Sequence, residues 1–333
     1  MERNKEMKIA LIGFGYWGPN LARNIRSIGD DTLYGISEMN VNRLDTARSI
    51  YGDAIKYTTN YMDFLIEKEV DAVAIATQTA YSFQIAIDAL EHGKHIFIEK
   101  PIASTVERAK IIQEEAMKRN LVVHCDHIML YHPVIRFIKG MLDCGELGDL
   151  MYIDISRINL GPIRQDVNAL LDLAVHDIAV IDYLSGGQVA NKVSAIGQAC
   201  FGQQETLTYL TIKYPTFMAH IKSSWVSPIK ERRSVFAGTK KMVVFDDVAA
   251  DKLIIYDHGF EVKRSSQYGD YEYKTRLGDI YLPHIPQEDA LRNSIEHFIG
   301  CVIKGEESLS GTEHSIKVMK ILEEALNQIK EQS

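Results

Sequence analysis

What the chain lacks narrows its class before any motif is read. No apolar run approaches the roughly 20 residues that cross a bilayer. The opening MERNKEMKIALIG carries charges but lacks the long apolar core and small-residue cleavage site of an export signal. No membrane partner is therefore expected, and the cytoplasm is the expected compartment. Cysteine is sparse: Cys125, Cys144, Cys200 and Cys301 stand far apart, with no CxxC pair for a zinc site or a redox dithiol. Scattered thiols of this kind suit a reducing compartment. Positive charge is also short, 37 Lys and Arg against 45 Asp and Glu, a net charge of −8. A polyanion needs clustered cations, so nucleic acid is not an expected partner. There is no internal repeat, low-complexity tract or extended linker.

What is present suits two globular domains, since 333 residues is long for one core. In the first part, KIALIG, LYGIS, VDAVAIAT, HIFIEK and LVVHC read as buried strands. Each is followed by a segment whose apolar residues recur every three to four positions. That alternation predicts an α/β, doubly wound parallel sheet of Rossmann type. Ser104 and Glu107 have capping-box spacing for one helix, and Gly93 is placed to stop another. After Gly148 the pattern changes. LMYIDISRI, KVSAIGQAC, TLTYLTIKY, FMAHIKSSW, RSVFAG and MVVFDD alternate apolar with polar residues, as a half-buried antiparallel sheet does. The expected division is residues 1–125, a Rossmann domain, and 126–333, an α+β domain with a large open, mainly antiparallel sheet. The uncovered face of that sheet predicts a homo-oligomer, a homodimer or homotetramer. The closing helical segments, EDALRNSIEHFIGCVI and SIKVMKILEEALNQI, are expected to pack back on the first domain.

Gly13, Gly15 and Gly18 form a GxGxxG between the first strand and the first helix, with Pro19 in that helix's first turn. The first glycine permits a tight turn, the second lets backbone approach a pyrophosphate, and the third lets helix and strand pack closely. Glu38 ends the second strand, where a carboxylate accepts hydrogen bonds from ribose hydroxyls and repels a 2′-phosphate. NAD is therefore favoured over NADP, with Arg43 the nearby cation that a phosphate would seek. Thr77, Gln78 and Thr79, then Glu99, Lys100 and Pro101, emerge at later carboxyl ends, the edge where such sheets bind ligands. A lysine there faces the cofactor and can hold a substrate hydroxyl, and Pro101 is compatible with a cis peptide.

One apolar helix, LLDLAVHDIAVIDYL, carries Asp172 and His176 four residues apart, on one face. Burying both costs several kcal/mol unless they are paired or used. Imidazole, with an ordinary pKa of about 6.5, suits proton transfer. Polar groups in DHIMLYHPVIR and SRINLGPIRQDVN, notably His127, Tyr131, His132, Arg157, Asn159, Arg164, Gln165 and Asn168, are expected to meet a polyhydroxylated ligand. Arg164 would take an anion bidentately. HCDH is not read as a metal site, because His124 and His127 point apart on a strand.

The chain resembles the Gfo/Idh/MocA oxidoreductases nearly end to end, through GFGYWG, EKP, DLAVHDIAV and the later GTKKMVVFDD. The resemblance implies an NAD(P)-dependent dehydrogenase acting on CH–OH groups of sugars, cyclitols or nucleotide sugars. It implies that Lys100, Asp172 and His176 are catalytic, and that the loop from Gly13 to Gly18, with Tyr16 and Trp17, holds the cofactor together with Glu99 and Lys100. Gln78 and Ser82 stand where the family commonly has a proline and a later histidine, and Ala174 stands where a glycine often separates the catalytic pair. GYWGPNLARN and RINLGPIRQDVNALLDLAVHD resemble the nucleotide-sugar branch, including enzymes that oxidise the 3-hydroxyl of a UDP-linked N-acetylated hexuronic acid. The rival readings are a dehydrogenase of free sugar or inositol, and an NAD-binding regulator without turnover.

Overall fold

The computed structural model describes residues 7–165, 167–264 and 271–332. Met1–Glu6, part of the segment read for export, lies outside them. The chain forms two compact units: Met1–Tyr131 with Glu288–Met319, and His132–Gln287 with Lys320–Ser333. The sequence drew its line at 125/126 and expected the closing helical segments to pack back on the first domain; in the structure the compact units divide at 131/132, and residues 288–319 belong to the first.

The first unit runs β1 (Ile9–Ile12), α1 (Gly18–Ile28), β2 (Leu33–Ser37), α2 (Val41–Tyr51), β3 (Lys56–Thr58), α3 (Met62–Leu65), β4 (Ala72–Ile75), α4 (Thr79–Glu91), β5 (His95–Ile98), α5 (Val106–Arg119) and β6 (Val123–Cys125). All six strands are parallel, in the order β3-β2-β1-β4-β5-β6. The order reverses between β1 and β4, the switch point at which ligands enter such sheets. β1, β2 and β4 are buried at every position because helices cover both faces. Gly93, at φ +73°, follows the end of α4 as the sequence predicts. The cap of α5 differs from the prediction: Thr105, one residue later than Ser104, has the extended backbone of a cap and accepts from the Arg108 amide. Ser104 instead accepts from the Arg108 guanidinium. β3 was not anticipated; three residues are too few to show a period.

The second unit begins with α6 (Pro133–Asp143) and β7 (Leu150–Leu160), then α7 (Val175–Leu184). Its remaining strands are β8 (Lys192–Gln198), β9 (Leu207–Lys213), β10 (Met218–Ser224), β11 (Val226–Gly238), β12 (Met242–Asp246), β13 (Leu253–Arg264) and β14 (Tyr271–Tyr281). The last two strands were not anticipated. The sheet order is β14-β13-β12-β11-β7-β10-β9-β8, antiparallel except where β7 meets β10. Ile153, Ile155, Leu210, Ile212, Ala219 and Ile221 are buried, whereas Tyr152, Ile196 and Met218 are exposed. That difference is the alternation seen in the sequence.

Two helices complete the chain, α8 (Ala290–Lys304) and α9 (Thr312–Glu331). Leu291, Ile295 and Phe298 of α8 join Leu21, Ile25 and Phe97 in one buried cluster, so α8 belongs to the core of the first unit. α9 is divided between the units. In the second, Gln328 uses its amide to bond the backbone of the edge strand β8 at Val193 and Ala195, both at 2.9 Å.

Candidate active site

At the carboxyl end of β1 the glycine loop is sterically committed. Gly13 has φ +99°, and a Cβ there would lie 2.6 Å from the Ala76 carbonyl oxygen. A Cβ on Gly18 would lie 2.6 Å from the Gly13 carbonyl oxygen, so the start of α1 is pressed against the loop. At Gly15 the space is open, with only the Arg43 guanidinium within reach, at 3.7 Å. The first turn of α1 has no side-chain cap and no acidic residue, which leaves its amide end available to an anion. Tyr16 is exposed and Trp17 half-buried. Glu38 is fixed by the same loop: Oε2 accepts from the Phe14 amide at 2.7 Å and Oε1 from the Asn40 amide at 2.8 Å. Each carboxylate oxygen keeps a further lone pair for a ribose hydroxyl.

The neighbouring carboxyl ends hold buried polar atoms with no partner among the described residues. Thr77 Oγ1 follows β4 and Glu99 Oε1 follows β5. Leaving such atoms dry costs about 1–3 kcal/mol each, so their concentration along one edge fits a bound polar ligand. Gln78 is exposed at the cap of α4, and Thr79 opens that helix. The Lys100–Pro101 peptide is cis. Register pairs Ile98 with Cys125, so Glu99 and Asp126 leave adjacent strands side by side. Burial, then the neighbouring Asp126 charge, holds the Glu99 carboxyl well above its ordinary range. Burial likewise pushes Asp126 up to about 7, against the pull of Ser294 and Lys100.

Asp126 accepts from Ser294 Oγ at 2.8 Å, and Ser294 in turn meets His124 Nε2 at 2.9 Å. Ser308 lies 2.9 Å from His124 Nδ1. Burial keeps His124 and His127 well below the usual imidazole range, and so neutral. Among the described residues, neither ring nitrogen of His127 has a hydrogen-bond partner. Sequence reasoning missed Asp126 entirely; an acid immediately after a buried strand was the available signal. Tyr131, expected at the substrate, is fully buried and its hydroxyl is 3.1 Å from Ser310 Oγ.

In the second unit, a π turn at Leu170–Ala174 runs directly into α7. Asn168 starts it, accepting from the Leu171 amide at 3.0 Å while its own amide donates to Glu205 at 2.8 Å. Such a turn changes how residues on its two sides align, and π turns are frequent at functional sites. Asp172 and His176 stay half-buried while Val175, Ile178, Ala179 and Ile181 are packed away. Asp172 Oδ1 lies 3.4 Å from Arg164 Nη1. Arg157 is bidentate to the buried Asp177, Nε at 3.0 Å from both oxygens and Nη2 at 2.6 Å from Oδ1. Burial opposes the Arg157 charge, but Asp177 outweighs it and raises the guanidinium pKa. Asn159 is half-buried with its amide against Gly161. Of the side chains expected at the substrate, Tyr131, Arg157 and Asn168 are thus taken up by internal partners.

Residues 7–127 match the model for an oxidoreductase family with an NAD-binding Rossmann fold, and residues 135–244 match the GFO/IDH/MocA C-terminal domain. The chain belongs to the Gfo/Idh/MocA oxidoreductase family. Residues 7–127 are that family's NAD-binding domain, and NAD is the cofactor. Among curated relatives, a UDP-N-acetylglucosamine 3-dehydrogenase of Acidithiobacillus ferrooxidans is 29% identical over 194 residues, covering 58% of each chain. The first relatives are thus matched over somewhat less than two thirds of their length. A scyllo-inositol 2-dehydrogenase (NAD(+)) of Bacillus subtilis is 24% identical, covering 90% of this chain and 87% of the relative. A solved structure of the Acidithiobacillus ferrooxidans UDP-N-acetylglucosamine 3-dehydrogenase superposes with a TM-score of 0.82 at 22% identity, over 98% of each chain. At that identity the likeness establishes the Gfo/Idh/MocA fold alone.

Proposed function

We propose that this chain is an NAD-dependent dehydrogenase that oxidises a sugar hydroxyl, that of a nucleotide sugar at C3, in the cytoplasm. Thr77 Oγ1 and Glu99 Oε1, buried along the carboxyl edge without a partner among the described residues, support it most directly, because a polar ligand bound there would satisfy them. Gly13 to Gly18 would hold the pyrophosphate, Glu38 the adenosine ribose, and Thr77, Gln78, Thr79 and Glu99 the nicotinamide end. NAD, when bound, accepts or returns the carbon-bound hydride. His176 takes the hydroxyl proton, Asp172 supports the imidazolium that forms, and Lys100 holds the hydroxyl oxygen and steadies negative charge on it. Arg164 tethers Asp172 and so limits its swing. The nucleotide-sugar reading leans on the similarity to a UDP-N-acetylglucosamine 3-dehydrogenase. The longer match to an inositol dehydrogenase favours a cyclitol or free sugar as the second reading. The chain is taken to work as a homodimer or homotetramer through the open sheet face.

A substrate panel of UDP-sugars, free sugars and inositols, following reduced nicotinamide at 340 nm, separates the two readings. His176→Ala should lower kcat by about 100-fold or more, the range expected for a general base, while NAD affinity stays unchanged. Full turnover in His176→Ala would remove the proposed base.

A further inference from the structure

Arg164, which the sequence offered for an anion, is engaged with Asp172, and Arg157, expected among the groups that meet a polyhydroxylated ligand, is engaged with Asp177. A third, Arg232, is not. It lies on β11 directly opposite Arg157 of β7, and residues paired in this way project from the same face. That face carries α7, because Arg157 reaches Asp177 there, one residue beyond His176. Arg232 is half-buried, and among the described residues its guanidinium makes no hydrogen bond and no ion pair within 4.0 Å.

Two arginines directly opposite each other on a sheet repel. Asp177 neutralises Arg157 through three close contacts. The next carboxylate, Asp247, is held by Lys252 at 2.9 Å. His132, near Asp247 and Lys252, is kept below its usual pKa by burial and adds no further positive charge. The group therefore carries one more positive charge than negative, and Arg232 is the cation left over. Burial, and then Arg157, depress the Arg232 pKa by more than the nearby Asp247 and Asp177 raise it, whereas in Arg157 the directly paired Asp177 prevails over burial.

We propose that Arg232 binds the substrate's diphosphate, as a fork of donors held beside the helix that carries His176. The inference rests on the nucleotide-sugar reading and assigns it a binding residue. A guanidinium matches two phosphate oxygens at once, and partial burial strengthens the contact by excluding water.

The test is calorimetric titration of the intact protein with UDP, with UDP-N-acetylglucosamine, with free glucuronate and, as a control, with NAD. Arg232→Gln should raise the Kd for UDP and for the UDP-sugar tenfold or more and leave the NAD Kd within twofold. Arg232→Lys, which keeps charge but not the fork, should fall between. An Arg232→Gln protein that binds UDP like the wild type overturns the proposal while leaving the nucleotide-sugar reading intact. Loss of glucuronate binding alone, with UDP unaffected, also overturns it, by moving the residue to a carboxylate. A wild type that binds neither UDP nor the UDP-sugar overturns both. If Arg232→Gln does not melt cooperatively, Arg232→Lys decides, and unchanged UDP affinity in that variant counts against the proposal.

Discussion

Single residues carry cofactor choice. Glu38 does more than meet a ribose, because its carboxylate ties the Phe14 amide of the glycine loop to the Asn40 amide that opens α2. Hydrogen bonds to a charged group are worth about 1.5–3 kcal/mol each. Glu38→Ala should therefore weaken NAD binding by about tenfold or more, and should weaken NADP binding less. Arg43, already 3.7 Å from where a Gly15 side chain would begin, then meets a 2′-phosphate without a competing carboxylate. Fluorescence titration with the two cofactors measures the ratio, and an unchanged preference would put specificity elsewhere. The loop was legible in the sequence because its requirements are local: Gly13 must reach φ +99° and Gly18 must sit against backbone. Arg157 and Tyr131 were not, because what decides their role is a partner distant in sequence. Asp177 is 20 residues from Arg157 and Ser310 is 179 from Tyr131. An arginine or tyrosine in a polar stretch looks the same whether it awaits a ligand or has been satisfied by the fold.

At the scale of elements, the carboxyl edge between β5 and β6 concentrates acid in a dry place. Burial keeps Glu99 and Asp126 from ionising as they would in the unfolded chain. The sign follows from proton counts. The unfolded Asp126 loses its proton near 3.8, the folded one near 7, so between these values the native state binds more protons. Stability contributed in this way is fully present below pH 3.8 and is lost as pH rises through about 7. Asp126→Asn removes the dependence at that site. The variant's melting temperature, relative to wild type, should therefore rise between pH 5 and pH 8, tracked by circular dichroism; a constant difference would mean that Asp126 is already ionised at the lower pH. Elements with strong periods, the buried strands and the alternating sheet, were read correctly from the chain. The π turn before α7 was not, since Leu170–Ala174 has the same apolar spacing as ordinary helix. What distinguishes it is the anchorage of Asn168 on Glu205, 37 residues away.

At the scale of the molecule, the first unit is discontinuous. Its sheet and α1 are complete by Tyr131, but α8, which starts only at Ala290, supplies Leu291, Ile295 and Phe298 to the same core. Phe298 is fully buried and meets Phe97 edge-on with centroids 5.8 Å apart, while Ser294 provides the hydroxyl on which Asp126 rests. A fragment ending at Tyr131 would expose Phe97 and leave the Asp126 carboxyl without its donor. Replacing buried aromatics with nothing costs about 3–5 kcal/mol for one side chain, which is comparable to the whole stability of a small domain. Residues 1–131 alone should therefore neither melt cooperatively nor bind NAD. The same residues joined through a short flexible linker to residues 288–319 should do both, with the linked protein's NAD affinity within about threefold of the full chain, since coupling through folding is then restored. Differential scanning calorimetry and NAD titration of the two proteins decide the matter. A cooperative, NAD-binding 1–131 fragment would make α8 a passive cover, and the Rossmann sheet would then have to draw its stability from its strands and helices α1 to α5 alone.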